Sequence, residues 1–380
     1  MRPWGVWMAL GVVATAPLPA AEVVVRWQEG APLPLPKGGA AVGWAEGKLI
    51  LAGGTWWESL PEAPPGGKGP SQVKRWGAVV HAYDPSNDTW SRLPDLPHPI
   101  GYGAGAVVEG VFYVLGGADA QQGFTDCFRL ARKGDRPTPV EQLEEEEAQR
   151  GGKGTEKKGV GGPSPGVRYV WQAIPSLPEP RVFAGAGAIG DTLYLVGGAR
   201  DPNDLGTLSN SLWSLQPNQP QAGWQTLPPL PGPPRGGAAT VVCANHLFVF
   251  GGFHLNPQGQ IENLADAYLY SPTLRKWQRL ASAPLPVRGW GAAAIQNRFI
   301  LLCGGFATVG LSTTGPVEDF IPDVWVYDVR TNRYTHSTPL PHAVMDALPV
   351  SVEETLYLAG GEDRPRHRAP WTMIGRVEVR

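Results

Sequence analysis

Apolar residues in this chain gather in short runs that end on a pair of glycines. Val111-Phe112-Tyr113-Val114-Leu115 runs into Gly116-Gly117, and close copies lie at Lys48 to Gly54, Thr192 to Gly198, His246 to Gly252, Phe299 to Gly305 and Thr355 to Gly361. The runs do not alternate cleanly with polar residues, which predicts strands covered on both faces. The glycines relax the backbone where each strand stops and the chain turns away. Upstream of the runs lie stretches of small residues, such as Gly103-Ala104-Gly105-Ala106 and Gly291-Ala292-Ala293-Ala294. These predict a further strand at a crowded place. Downstream comes Tyr83-Asp84, a tight Pro85-Ser86-Asn87-Asp88 turn, then Trp90 and Leu93-Pro94-Asp95-Leu96-Pro97. Asp and Asn at the turn can bond local backbone, and Trp90 opens an outer strand.

The second glycines are 63, 81, 54, 53 and 56 residues apart. A period near fifty is that of one four-stranded propeller blade. The repeat overrides the length prior of two or three domains and makes residues 22–380 one all-β, six-bladed unit. The C-terminal blade ends on the alternating Arg376-Val377-Glu378-Val379-Arg380 and lacks the Trp and Leu-Pro ending. Glu22 to Pro36 supplies that ending, with a strand over Val23 to Gln28. The N-terminal strand is therefore expected to complete the last blade and remove its open edge. The long 81-residue step reflects residues 131–168, rich in Glu, Gly, Lys and Pro, which cannot bury a core and are expected to form a flexible insertion in the second blade.

Composition sharpens this picture little. Glycine (50) and proline (40) are abundant and charged residues make up only 17%, a balance that would suggest disorder if the glycines and prolines did not fall at fixed points of the repeat. The net charge of -2 argues against bulk binding to nucleic acid or membranes. Three cysteines cannot close a disulfide framework, and Cys127, Cys243 and Cys303 read as buried apolar side chains. Residues 1–21 combine Arg2, an apolar stretch from Gly5 to Ala16 and small residues near Ala20, the pattern of a secretory signal. The mature protein is expected in the periplasm or outside the cell. Gly185-Ala186-Gly187-Ala188-Ile189-Gly190 fits GxGxxG, but a strand follows it rather than a helix, so no dinucleotide site is expected. The seven histidines show no ligand spacing, and neither a metal nor a cofactor is expected.

The combined phrase of apolar strand, Gly-Gly, Tyr-Asp, Trp and Leu-Pro-x-Leu-Pro resembles the kelch repeat. It recurs around Trp325 to Asp328 with Tyr334, around Tyr268 to Tyr270 with Trp277, and around Leu212-Trp213 with Trp224. The resemblance implies that the connections after Gly-Gly and those leaving the Leu-Pro phrases meet at one mouth of a central channel. The Leu-Pro connections end on Lys37, Arg181, Arg235 and Arg288, with Tyr102 and His342 in the other two blades. Such a set of cations suits an anion, with arginine forks holding a carboxylate. The competing reading pairs each cation with a carboxylate or carbonyl of its neighbour. Trp56 after the first Gly-Gly can stack on a sugar face, and Asp346 before the last inner strand is an acid candidate.

Among secreted bacterial proteins of this plan, the chain is similar to the N-acetylneuraminate epimerase (sialic acid mutarotase) group. That group's function is attributed to a glutamate and an arginine after a Gly-Gly strand end. Here the resemblance points to Glu362 as acid/base with Arg366 or Arg368, while the placement of the connections at one mouth makes Lys37, Tyr102, Arg181, Arg235, Arg288, Asp346 and Trp56 the expected substrate-binding residues. The implied reaction exchanges the anomers of an acidic sugar by proton transfer. The alternatives are a non-enzymatic module binding a glycan or a protein at the same mouth, and a lyase or hydrolase of acidic polysaccharide.

Overall fold

The computed structural model describes residues 21–60, 72–133, 168–313 and 315–380. The signal expected over 1–21 lies, apart from Ala21, outside the described residues, as does 134–167 of the expected insertion. The insertion is shorter than expected at both ends. Ala131 and Arg132 belong to the strand Cys127–Arg132 and pair with Val170 and Tyr169 of Tyr169–Ile174. The described residues are almost wholly β, with a single 3-10 turn at Pro220–Ala222.

Six four-stranded antiparallel sheets carry the core. In the first, Ala41–Ala45, Lys48–Ala52, Val80–Asp84 and Thr89–Leu93 follow one another in chain order. The next four sheets repeat this meander, with inner strands Ala104–Val108, Gly185–Ile189, Ala239–Cys243 and Gly291–Ile295. The sixth sheet joins Val350–Val352, Thr355–Ala359 and Thr372–Val379 to the N-terminal strand Val23–Glu29. There Val23 faces Val379 and Glu29 faces Met373. Each inner strand touches those of the sheets before and after it, and Val350–Val352 touches Ala41–Ala45. The small residues of these strands are what let them crowd together. A Cβ on Gly105, for instance, would collide with the Val42 backbone of the preceding sheet.

The Gly-Gly pairs do more than end strands. Both glycines of every pair have positive φ, from +57° to +72° at the first and +84° to +107° at the second. The second glycine's N–H donates to a carbonyl leading into the next sheet: Gly54 to Ile100 (2.7 Å), Gly117 to Arg181 (2.6 Å), Gly198 to Arg235 (2.8 Å), Gly252 to Val287 (2.8 Å), Gly305 to Val344 (2.7 Å) and Gly361 to Lys37 (2.9 Å). The outer-strand aromatics form a second clasp. Trp90 donates to Ala31 O, Trp171 to Pro94 O, Trp224 to Pro175 O, Trp277 to Pro228 O and Tyr334 to Ala281 O, each at 2.8–2.9 Å. Trp27 on the N-terminal strand does the same to Thr338 O at 3.2 Å. A buried indole is apolar except at its N–H, which needs a partner, and the Leu-Pro segment of the preceding sheet provides the carbonyl.

The three cysteines are buried and free, and burial pushes the thiols of Cys127 and Cys303 up to about 12 and that of Cys243 to about 11. They pack as apolar side chains.

Candidate functional site

Before each inner strand the chain passes one residue in the left-handed region: Gly39 (φ +63°), Tyr102 (+54°), Phe183 (+62°), Gly237 (+58°), Gly289 (+66°) and Asp346 (+58°). Their backbones are linked from sheet to sheet. Tyr102 N–H donates to Gly39 O (2.6 Å), Phe183 to Tyr102 (3.2 Å), Gly237 to Phe183 (2.9 Å), Gly289 to Gly237 (3.0 Å) and Asp346 to Gly289 (2.9 Å). All six line one cavity of about 170 Å³ at the centre of the sheets. Glycine adopts this conformation freely, whereas a side chain there costs about 1–3 kcal/mol. Tyr102, Phe183 and Asp346 carry side chains nonetheless, so the cavity wall is chemically uneven.

Tyr102 and Arg368 are seated by the glycines beneath them. A Cβ on Gly39 would stand 2.5 Å from Tyr102 Cδ1, and one on Gly38 would stand 2.9 Å from Arg368 Nη1. Arg368 is only 4% exposed. It comes from the short hairpin Glu362–Arg364/His367–Arg368 that follows the last Gly-Gly. Its Nη2 donates to Thr55 Oγ1 (2.8 Å) and Tyr102 Oη (3.0 Å), and its Nη1 to Glu362 Oε2. Burial works to lower the Arg368 pKa, but Tyr102, Glu362 and Asp346 outweigh it and hold the group above its ordinary value. The other Glu362 oxygen accepts from the Arg366 backbone N–H at 3.1 Å. Lys74, on the hairpin Thr55–Ser59/Gln72–Trp76, donates to the same Tyr102 hydroxyl at 2.8 Å and sits 4.5 Å from the Tyr102 ring centroid.

Asp346 is different. Among the described residues its carboxylate makes no hydrogen bond or ion pair. Enclosure raises its pKa; the charges of Arg368, Lys74 and Arg288 pull it back down, and Glu362 adds to the rise. A carboxyl group with raised pKa in a cleft is a recurrent mark of a functional site. Aromatic rings complete the wall: Trp76 meets Tyr102 at 5.6 Å, Tyr102 meets Phe183 at 4.8 Å, and Phe183 meets Phe253 at 5.9 Å between centroids. The mouth thus sets one unpaired carboxyl and a tyrosine hydroxyl among three cations and beside an apolar wall. That arrangement can move protons on a small anionic, partly apolar molecule.

The comparisons agree with this architecture. The family model described as "NANM: N-acetylneuraminate epimerase" matches residues 174–310. A Kelch-like protein terF of Aspergillus terreus is 27% identical over 299 residues, covering 78% of this chain and 55% of that protein. The N-acetylneuraminate epimerase of Yersinia pestis is 28% identical over 239 residues, covering 55% of this chain and 59% of its own. The chain is thus similar to kelch-type propellers and, over residues 174–310, to the N-acetylneuraminate epimerase family. It spans 55–60% of the length of the first curated relatives it matches. A solved structure described as "Structure of YjhT" superposes with a TM-score of 0.63 at 14% identity, covering 92% of this chain and 99% of that one, and so shares its fold.

The expected ring of cations is not a ring facing the channel. The residues whose carbonyls take the Gly-Gly clasp are Lys37, Ile100, Arg181, Arg235, Val287 and Val344. Lys37, Arg181 and Arg235 are each 1% exposed. Arg181 donates to Glu179 (2.6 Å) and Ser211 (3.0 Å) and lies over Trp213. Arg235 grips Asp266 with two bonds of 2.6 and 2.7 Å. Lys37 Nζ donates to the carbonyls of Leu51 (3.1 Å) and Val79 (2.7 Å). These three are pegs inside the fold, which corrects their assignment as substrate-binding residues. Arg288 follows Val287 and is therefore one residue out of step. In extended chain that offset reverses the direction of the side chain, and Arg288 reaches the mouth at 23% side-chain exposure, bonded to Asn263 (2.6 Å) and Glu318 (2.9 Å).

Trp56 is also corrected. Its ring packs on Gly77 in the space a Cβ would need, while Trp57, on the other face, lies 5.6 Å beneath the exposed Arg366 guanidinium. His342 stacks on Trp371 at 3.9 Å and bonds Glu29, away from the cavity lining. Of the expected site residues, Glu362, Arg368 and Tyr102 are joined by hydrogen bonds, and Asp346 lines the same cavity as Tyr102. Lys74, Thr55 and Phe183 were missed. Only the left-handed backbone shared with Tyr102 and Asp346 would have singled out Phe183, and no local motif marks Lys74 or Thr55.

Proposed function

We propose that the six sheets are the blades of one disc, closed by the N-terminal strand, whose channel mouth catalyses mutarotation of an acidic sugar, most specifically N-acetylneuraminate. The observation that carries this reading is Asp346, an unpaired carboxyl of raised pKa beside Arg368 in a cavity with aromatic and cationic walls. Relatives named N-acetylneuraminate epimerase support the sugar. Mutarotation needs only proton transfer. A base removes the anomeric hydroxyl proton while an acid protonates the ring oxygen. The open-chain ketone then rotates and recloses.

Asp346 serves as the base, because enclosure strengthens it and no protein donor competes for its oxygens. Glu362, with both oxygens engaged, holds Arg368 rather than the sugar. Arg288 and the positive field of Lys74 and Arg368 draw the substrate carboxylate. The aromatic wall excludes water from one face of the ring. Positioned acid-base groups of this kind are worth about a hundred- to ten-thousand-fold, sufficient for a reaction that already proceeds in water. Export, with residues 1–21 as a secretory signal, is part of the same proposal and places the enzyme where free extracellular sugar is met.

The test adds the protein to freshly dissolved crystalline N-acetylneuraminate and follows both anomers by NMR. Anomer exchange faster than in buffer, lost in Asp346→Asn, is the expected result. No acceleration overturns the enzymatic reading. A second reading, a glycan-binding kelch module without catalysis, draws on the Kelch-like relative that matches 78% of this chain against 55% for the Yersinia epimerase. Ligand line-broadening without exchange would support it.

A further inference from the structure

We propose that Tyr102 is the acid of the reaction and that Lys74 is the positioning residue that aims its proton. The inference rests on the mutarotase reading above. A phenol oxygen has one O–H to give and two lone pairs to offer. Both lone pairs of Tyr102 are taken, one by Lys74 Nζ at 2.8 Å and one by Arg368 Nη2 at 3.0 Å. Ammonium and guanidinium groups are donors only. The Tyr102 proton therefore cannot point at either, and among the described residues no protein atom accepts it. Tyr102 is one of the residues lining the cavity, and with both lone pairs engaged its O–H is left for whatever occupies that space.

The backbone supports the assignment. Tyr102 is held at φ +54°, and its ring takes the place a side chain on Gly39 would fill. Asp346 occupies the equivalent strained position on the other side of Gly39 around the channel. The two groups that move protons thus stand at equivalent sites of two blades, with a glycine between them. In the forward step Asp346 takes the anomeric hydroxyl proton as the bond from the anomeric carbon to the ring oxygen breaks. The ring oxygen takes the Tyr102 proton. The products are the open-chain ketone, a protonated Asp346 and a tyrosinate between two cations, a fixed electrostatic arrangement that needs no reorganisation at that moment. Reclosure on the other face returns both protons. Lys74 is fixed for this task by its own contacts, lying 4.9 Å from the Trp76 ring centroid as well as 4.5 Å from that of Tyr102.

The test is steady-state anomer exchange of N-acetylneuraminate with wild type, Tyr102→Phe, Lys74→Met and Lys74→Arg, each checked for folding by circular dichroism. Tyr102→Phe is expected to lower kcat by about a hundred-fold or more with KM changed by less than about threefold. Lys74→Met should lower kcat about tenfold, and Lys74→Arg, which restores a donor, should recover most of it. An active wild type whose Tyr102→Phe variant keeps kcat within about threefold, or changes KM alone, overturns this inference and leaves the mutarotase reading standing. A Lys74→Arg variant as poor as Lys74→Met overturns the positioning role. A wild type no faster than buffer overturns the mutarotase reading and this inference with it.

Discussion

Replacing Arg235 by methionine separates a structural peg from an anion ligand. The Arg235 side chain is 1% exposed and its partner Asp266 13%. The guanidinium makes two bonds to that carboxylate, at 2.6 and 2.7 Å, and a third to the Gly251 carbonyl at 3.0 Å. Methionine fills much of the volume but takes from the carboxylate its paired cation, leaving it the Tyr268 hydroxyl, and takes from the Gly251 carbonyl its guanidinium donor. Breaking a buried pair in this way costs about 3–5 kcal/mol. With an unfolding entropy of about 2 cal/mol/K per residue over roughly 350 residues, the melting temperature should fall by about 4–7 °C. The pH dependence adds a signature. Burial opposes ionised Asp266, but its bonds and attraction to Arg235 prevail and hold its pKa below the ordinary value. The stability this confers is present above the unfolded pKa of about 3.9 and is lost as pH falls through the folded value. In Arg235→Met that acid limb should flatten, since burial, the largest influence on Asp266, is then opposed only by the Tyr268 hydrogen bond and the Arg279 charge. Adding Asp266→Leu should recover most of the loss, because no buried charge is left unpaired. The assay is thermal unfolding from pH 3 to 8, with anomer exchange measured on the folded protein. An unchanged melting temperature together with a raised KM would refute the reasoning and return Arg235 to the substrate.

Other consequences are equally direct. Asp346→Asn should be more stable than wild type at pH 7, because enclosure penalises the ionised carboxyl in the fold; the gain should vanish below the unfolded pKa of about 3.9, and anomer exchange should fall about a hundred-fold or more. Thermal melts and NMR exchange on one preparation check both, and undiminished exchange would remove Asp346 from the mechanism. Burial lowers the Lys37 pKa from 10.5 to about 7. Between those values the unfolded chain binds the extra proton, so wild type should gain stability relative to Lys37→Met as pH rises from 7 towards 10; parallel melting curves would contradict it. Gly39→Ala combines φ +63° with a methyl 2.5 Å from Tyr102 Cδ1. It should lose about 1–3 kcal/mol of stability and also lower kcat by moving Tyr102, whereas Gly47→Ala, with φ +72° and open space, should lose stability alone.

Much of the fold was legible because its determinants are local. The apolar runs, the Gly-Gly pairs and the small-residue strands each report the crowding of one stretch of backbone. The role of the N-terminal strand could be read from a missing Trp and Leu-Pro phrase at one end of the chain and its presence at the other. The site was legible only in part. Glu362, Arg368, Tyr102 and Asp346 sit at repeat boundaries and could be nominated from position. Lys74 could not, because it lies on a hairpin whose partner, Tyr102, belongs to the next blade.

The cations mark where sequence stops being sufficient. Lys37, Arg181, Arg235 and Arg288 look alike along the chain, each after a Leu-Pro phrase. The first three fall at the clasp residue and turn into the fold; Arg288 falls one residue later and turns to the mouth. A shift of one residue in extended backbone reverses the side chain, and which residue is the clasp is set by a hydrogen bond from a glycine in the preceding blade. The sequence by itself determined the class of sheet, the repeat and the places where strands stop. The tertiary structure alone decided which side chains meet in the channel, because the wall is assembled from several sheets far apart in the chain and each side chain's direction depends on contacts tens of residues away.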